Sequence, residues 1–207
     1  APQGVAEVKS RLVGRYNVAN LLAVAGVLLA GGLPFEQLAE RLGALDAPPG
    51  RMQRLGGEGQ PLVVVDYAHS PDALANALTA LREEAAARGG RLVCVFGCGG
   101  DRDHGKRPLM GEVATRLADR VVLTSDNPRG ESPTLIIEEI RAGAPAAEVV
   151  VDRRQAIAAA IAAAAPAAVI LLAGKGHEAY QEVAGHFHPF SDLREAEAAL
   201  VARQESA

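Results

Sequence analysis

With 207 residues, 49% of them hydrophobic, and a net charge of −4, the chain can bury one sizeable domain, or one domain plus a piece of another. Its scattered basic residues and an aromatic content of only 3% exclude an extended polyanion-binding surface. The longest apolar stretch usable as a helix, residues 19–30, contains Asn20 and is shorter than a bilayer span.

The chain starts at Ala1 rather than Met and shows no leader pattern, so a processed product or a segment of something longer is expected. Val18, Leu21, Leu22, Ala25, Leu28 and Leu29 recur at helical spacing and stop at Gly31-Gly32. The apolar face of this helix is expected to pack against strands outside the chain or to be left exposed. A second short helix runs from Pro34 to Leu42. Residues 46–50, with Pro48 and Pro49, read as a linker, and 51–55 as a short strand. The turn Gly56-Gly57-Glu58-Gly59 marks the expected boundary, dividing the chain into 1–57 and 58–207.

Beyond that turn the pattern becomes regular. Strand 62–66 leads to helix 71–88, with Ser70 as N-cap and Pro71 at the first helical position. Strand 92–96 leads through a glycine-rich loop to helix 108–118. Strand 121–124 leads to a helix capped by Ser132, strand 148–151 to an alanine-rich helix 153–164, and strand 168–172 to Gly174-Lys175-Gly176-His177-Glu178. A hairpin around Gly185 and a helix over 191–203 close the pattern. Alternation of continuous apolar strands with helices predicts an α/β fold, with a Rossmann-like, mostly parallel sheet covered by helices on both faces. In such a sheet ligands bind beyond the carboxyl ends of the strands. Four polar clusters follow strand ends and are expected on one rim: Asp66 to His69, Gly97 to Arg107, Asp126 to Arg129 and Gly174 to Glu178.

Asp126-Asn127-Pro128-Arg129 places a carboxylate, an amide and a guanidinium on a proline-restricted turn. It can hold an ammonium with Asp126 and a carboxylate with Arg129, which suits an amino acid; a solvated turn is the plainer alternative. In the Gly97–Arg107 loop the glycines allow backbone N–H groups to crowd around an anion, and Arg102 offers a fork for a carboxylate or phosphate. An Arg–Asp lattice that only shapes the loop is the alternative there. Glu178 can accept from an ammonium, while His177 is either a proton carrier or a structural imidazole. Asp66 can accept from a ribose or hold a turn, and His69 follows it by three residues. Asn17 and Asn20 share one helix face, where they can read an adenine edge, or Asn17 can serve as N-cap. Arg51 can reach a phosphate or form a surface ion pair.

Cys94 and Cys98 are expected to be buried thiols, and no Cys/His cluster has zinc spacing; a reducing cytoplasm fits. The chain holds 18 Arg but only three Lys, and Lys106 and Lys175 both sit in glycine-flanked loops. Such sparing use suggests a need for a compact ammonium at those positions.

Taken in order, Gly14-Arg15-Tyr16-Asn17-Val18-Ala19-Asn20, Gly50-Arg51-Met52, Asp66-Tyr67-Ala68-His69-Ser70-Pro71, the 97–108 loop, Asp126-Asn127-Pro128-Arg129 and Gly174-Lys175-Gly176-His177-Glu178 resemble the Mur ligases, at the branch that adds meso-diaminopimelate. The resemblance covers essentially the whole chain. It implies the end of the family's central ATPase domain over 1–57, followed by its carboxy-terminal Rossmann-like domain. It further implies ATP contacts at Asn17, Asn20, Arg51, Asp66 and His69, and diaminopimelate contacts at Arg102, Asp126, Asn127, Pro128, Arg129, Gly174 and Glu178. The implied activity is ATP-dependent amide formation in peptidoglycan biosynthesis, on a UDP-muramoyl-dipeptide. Magnesium ligands are expected mainly upstream, and no metal ligand is assigned here. No Gly-x-x-x-x-Gly-Lys-[Ser/Thr] loop is present, so the chain by itself is expected to be inactive. Related ligases such as folylpolyglutamate or cyanophycin synthetase, and a stand-alone amino-acid-binding module, are the competing readings.

Overall fold

The computed structural model describes residues 4–10, 12, 14 and 16–205. These divide into two compact units, 1–48 and 49–207. In the first unit, α1 (Tyr16–Ala30) and α2 (Phe35–Gly43) pack together. Leu38 and Leu42 of α2 are buried, whereas Val18, Leu22 and Val27 of α1 are exposed. Asn17 lies inside α1 rather than capping it, because the helix already begins at Tyr16.

The second unit carries the alternating pattern. Strands β1 (Gln53–Gly56), β2 (Leu62–Asp66), β3 (Leu92–Phe96), β4 (Arg120–Leu123), β5 (Glu148–Val149) and β6 (Val169–Ala173) form one sheet in the order β1-β2-β6-β3-β4-β5. All neighbours are parallel except β1, which lies antiparallel on β2. The strand expected before the 57/58 boundary is thus the edge of the main sheet, and the division falls at Pro48/Pro49 instead. Pairing Gln53 to Val65 and Gly56 to Leu62 ties β1 to the second unit by a backbone ladder, which composition does not reveal.

The central strands β2, β3 and β6 are buried at every position, as their unbroken apolar runs require. Side chains alternate between faces. Val63, Val65, Val93, Val95, Ile170 and Leu172 meet Ile157 and Ile161 of α6 (Arg153–Ala163) and Ala196 and Leu200 of α7 (Asp192–Glu205). The opposite face is covered by α3 (Pro71–Arg88), α4 (Lys106–Leu117) and α5 (Pro133–Arg141). Ser70 caps α3 as expected, its Oγ accepting from Ala73 N at 3.3 Å. Ser132 stands at the N-cap of α5 but accepts no such bond. A separate hairpin pairs β7 (Tyr180–Val183) with β8 (His186–Pro189). Among the described residues no helix is long and apolar enough to cross a membrane.

Register decides where the site lies. Asp66 and Phe96 both pair with Ala173, and Phe96 also pairs with Leu123. The strands β2, β6, β3 and β4 therefore end level, and the loops that follow them leave the sheet side by side.

Candidate functional site

Those four loops enclose a cavity of about 300 Å³ lined by Tyr67, His69, Gly99, Arg102, Lys106, Asp126, Asn127, Arg129, Gly174 and Glu178. Six of the residues singled out for amino-acid recognition meet here. Pro128 does not. It is buried behind the cavity, with its carbonyl accepting from Glu131 N at 3.0 Å and lying against Gly100. Its part is to set the turn.

The loop after β4 is held by its neighbours. Gly100 N donates to Asn127 O at 2.9 Å, joining it to the loop after β3. From the hairpin, Gln181 Nε2 donates to Asp126 O at 2.6 Å and to Ser125 Oγ at 2.9 Å. Arg129 adopts φ 51°, in the left-handed region that side chains other than glycine rarely occupy. Arg129 N donates to Glu182 O at 3.0 Å, and Ala184 N donates to Arg129 O at 2.7 Å, so the hairpin holds it in that conformation. The Arg129 side chain donates from Nη1 to Gly100 O at 2.9 Å and pairs through Nε with Glu182 at 3.1 Å.

Arg102 differs. It is exposed, lines the cavity and makes no hydrogen bond or ion pair with the described residues. The loop is shaped by an ion-pair lattice, but not by the Arg–Asp one expected as an alternative: Arg107 and two glutamates build it. Arg107, fully buried, donates to both oxygens of Glu131 at 2.8 and 2.9 Å, to Glu139 at 2.8 Å and to Gly99 O at 3.2 Å. Arg102 is left with its whole fork available.

Asp126 and Glu178 supply the negative side. Burial pushes the Asp126 carboxyl upward, against the opposing fields of Arg153 and Lys175. Gly174, at φ 111°, leaves room for it: a Cβ there would stand 2.5 Å from Asp126 Oδ2. Glu178 Oε2 accepts from Asn127 Nδ2 at 2.8 Å, while Oε1 accepts from no described residue. The cavity thus presents cations (Arg102, Arg129, Lys106) and carboxylates (Asp126, Glu178) to the same small volume, an arrangement matched to a zwitterion.

The residues assigned to ATP are spread more widely. His69 lines the same cavity, its Nδ1 donating to Tyr67 O at 2.8 Å. Asp66 is not on it. Its two oxygens accept from Met52 N at 2.8 Å and Ala68 N at 2.9 Å, so the carboxylate holds the turn, the simpler of its two expected roles. Burial still raises its pKa, with these two N–H groups acting in the opposite direction. Arg51 stands over the Tyr67 ring at 5.1 Å, and His177 tilts against the same ring at 5.4 Å. Asn17 and Asn20 belong to the first unit, where Asn20 Nδ2 donates to Asn17 Oδ1 at 3.0 Å on one exposed helix face.

Two contributors lie outside the expected set. Lys106 lines the cavity and donates to His69 O at 2.8 Å, and Lys175 is fully buried among Asn127, Asp126 and Glu178. The scarcity of lysine was the signal for both. Gln181 and Glu182 carry no comparable signal, because a hairpin more than 50 residues downstream brings them back to the loop. Among the described residues no three His, Cys, Asp or Glu side chains converge where they could hold a metal ion. Cys94 and Cys98 are free and buried, and burial pushes both thiols up to about 12.

Residues 50–176 match the family model described as the Mur ligase glutamate ligase domain. The chain is 56% identical over 204 residues to a UDP-N-acetylmuramoyl-L-alanyl-D-glutamate–2,6-diaminopimelate ligase of Pseudomonas aeruginosa, covering 97% of this chain and 41% of that protein. A solved structure of a ligase with the same name superposes with a TM-score of 0.75 at 40% identity, over 99% of this chain and 42% of the other. The UDP-N-acetylmuramate-alanine ligase of Thermotoga maritima shares the fold, with a TM-score of 0.68 at 20% identity over 98% of this chain and 41% of the other. The chain spans about two fifths of the length of the curated relatives it matches.

Proposed function

The chain belongs to the Mur ligase family, and on that premise we propose that it is the amino-acid-selecting part of an ATP-dependent ligase that adds meso-diaminopimelate to UDP-N-acetylmuramoyl-L-alanyl-D-glutamate. In such a reaction ATP phosphorylates the D-glutamate γ-carboxylate, and the incoming amine displaces phosphate to form the amide. The residues of this chain bind and orient that amine donor. ATP is the second substrate, assigned to Arg51 and His69 of the second unit and, separately, to Asn17 and Asn20 of the first; Asp66, whose oxygens each accept one backbone N–H, keeps lone pairs for a ribose hydroxyl. Magnesium is assigned to parts of the ligase beyond the described residues.

The observation that carries the reading is Arg102, a guanidinium with no partner among the described residues, on a cavity that also holds Asp126 and Glu178. Diaminopimelate has an ammonium and a carboxylate at its far end; lysine has the ammonium alone. The carboxylate answers Arg102 and the free edge of Arg129, while the ammonium answers Glu178 and Asp126. Lysine leaves the cations without an anion, and a site built for a polar group discriminates against a ligand that lacks it.

Because Arg129 also braces the loop, Arg102→Ala is the cleaner test. Calorimetric titration of this variant is expected to show diaminopimelate binding weakened by about tenfold or more, the scale of one charge-assisted hydrogen bond, with the melting temperature unchanged. Arg129→Ala is expected to erode the preference over lysine as well. Undiminished diaminopimelate binding by Arg102→Ala would sink the proposed clamp.

A further inference from the structure

Lys175 has no surface on the cavity; it lies fully buried against the residues that form it. Its ammonium donates to Asn127 Oδ1 at 2.9 Å and to Glu178 Oε2 at 3.3 Å, and stands 3.5 Å from Asp126 Oδ1. The Tyr180 ring closes the remaining side, 5.8 Å away. We propose that Lys175 is the positioning residue of the amino-acid pocket: its buried ammonium fixes the Asn127 amide in one orientation and, as a counter-charge 3.3 and 3.5 Å away, holds the Glu178 and Asp126 carboxylates in place beside the cavity. The proposal rests on the reading of the cavity as an amino-acid site.

Three acceptors surround one ammonium, and an ammonium has three N–H donors. A guanidinium, planar and forked, cannot address three acceptors gathered around one point. That accounts for a lysine at this position in a chain that otherwise favours arginine. Asn127 Oδ1 also accepts from Glu182 N at 3.0 Å, so rotating the amide by half a turn would set its NH2 against two donors. Held as it is, Asn127 donates to Glu178 Oε2. That oxygen then has two donors, and Oε1 is left for a ligand ammonium.

Electrostatics points the same way. The charged groups facing Asp126 are Lys175 and Glu178 from the loop after β6, Arg153 from α6 and Asp192 from α7. Arg102, Arg129 and Lys106 stand on the same cavity. Burial and the two acidic neighbours favour the protonated form of Asp126, and Lys175 is one of two cations opposing them. Removing it moves ionisation of Asp126 to higher pH. Binding of a ligand ammonium, which needs the anion, moves with it.

The test is calorimetric titration of meso-diaminopimelate into the unaltered chain, Lys175→Met and Lys175→Gln across a series of pH values. Both variants are expected to bind about tenfold or more weakly at neutral pH, with the deficit shrinking as pH rises and Asp126 ionises. Gln, which keeps a donor for Asn127, is expected to melt nearer the unaltered chain than Met while sharing its pH dependence. Variants that bind with unchanged affinity and an unchanged pH profile overturn the proposal and leave the functional reading standing. An unaltered chain that binds no diaminopimelate overturns both. Should neither variant fold, nitrogen NMR of the unaltered chain decides: the Lys175 ammonium signal is expected to shift on adding diaminopimelate, and a signal that stays fixed while those of the cavity arginines move overturns the proposal.

Discussion

Around Arg107, two glutamates and a glycine carbonyl share one fully buried guanidinium. This group sets the shape of the loop after β3 and so decides where Arg102 points. Glu131 feels it most. The hydrogen bonds from Arg107, followed by the Asp101 N–H, hold its carboxyl down to about 2, from an ordinary value of 4.5. A depressed carboxyl pKa stabilises the fold at pH values above the unfolded value, and that stability is lost as pH falls through the folded one. The loop is therefore expected to loosen between about pH 4.5 and 2, well below neutrality. Carbon NMR of the Glu131 carboxyl checks this directly, and titration near 4.5 would contradict it. Glu131→Gln is expected to flatten the stability profile within that window. The loop's residues pointed to Arg102 as a fork open to an anion, and it is the arginine of that loop that lines the cavity, but they left Arg107 unassigned. Which of two nearby arginines pairs internally depends on Glu131 and Glu139, 24 and 32 residues further along the chain.

The elements are pinned together by a second buried pair. Arg153, at the start of α6, meets Asp192, at the start of α7, through two bonds of 2.7 Å, and also donates to Ala173 O at the end of β6 and to Ser125 O after β4. Burial works against the Arg153 charge, and Asp192, joined by Asp126 and Glu178, more than offsets it. Asp192→Asn leaves that cation under-compensated in the interior, and urea unfolding is expected to show a loss of about 3–5 kcal/mol. An Arg153→Met, Asp192→Leu double variant is expected to lose less, because neither member of the pair is left without the other, although Asp126 then keeps Lys175 alone as its cation. At this scale much was legible beforehand. Unbroken apolar runs of four or five residues gave β2, β3 and β6, and Ser70-Pro71 gave the start of α3, whereas β5 shrinks to Glu148–Val149. The docking of the hairpin on Arg129 was not legible, since it rests on backbone bonds that leave no mark on side-chain pattern. Nor was the placement of β1: a four-residue strand that runs into Gly56-Gly57 looks the same whether it ends one unit or edges the next.

For the whole molecule, the second unit is a parallel sheet whose level strand ends gather charged groups of both signs around one small cavity, and the fold and relatives are those of the Mur ligases. The parallel arrangement makes this geometry inexpensive: once Asp66, Phe96, Leu123 and Ala173 lie in register, any polar residue placed just after them faces the same rim. The first unit contributes an amide pair on an exposed helix whose valines and leucines are only partly covered. The central claim is that the cavity recognises both charges at the far end of its amino acid. Calorimetric titration of the unaltered chain with meso-diaminopimelate and with L-lysine tests it most directly. The account predicts measurable binding of diaminopimelate and much weaker binding of lysine, whereas equal affinity for the two would contradict it.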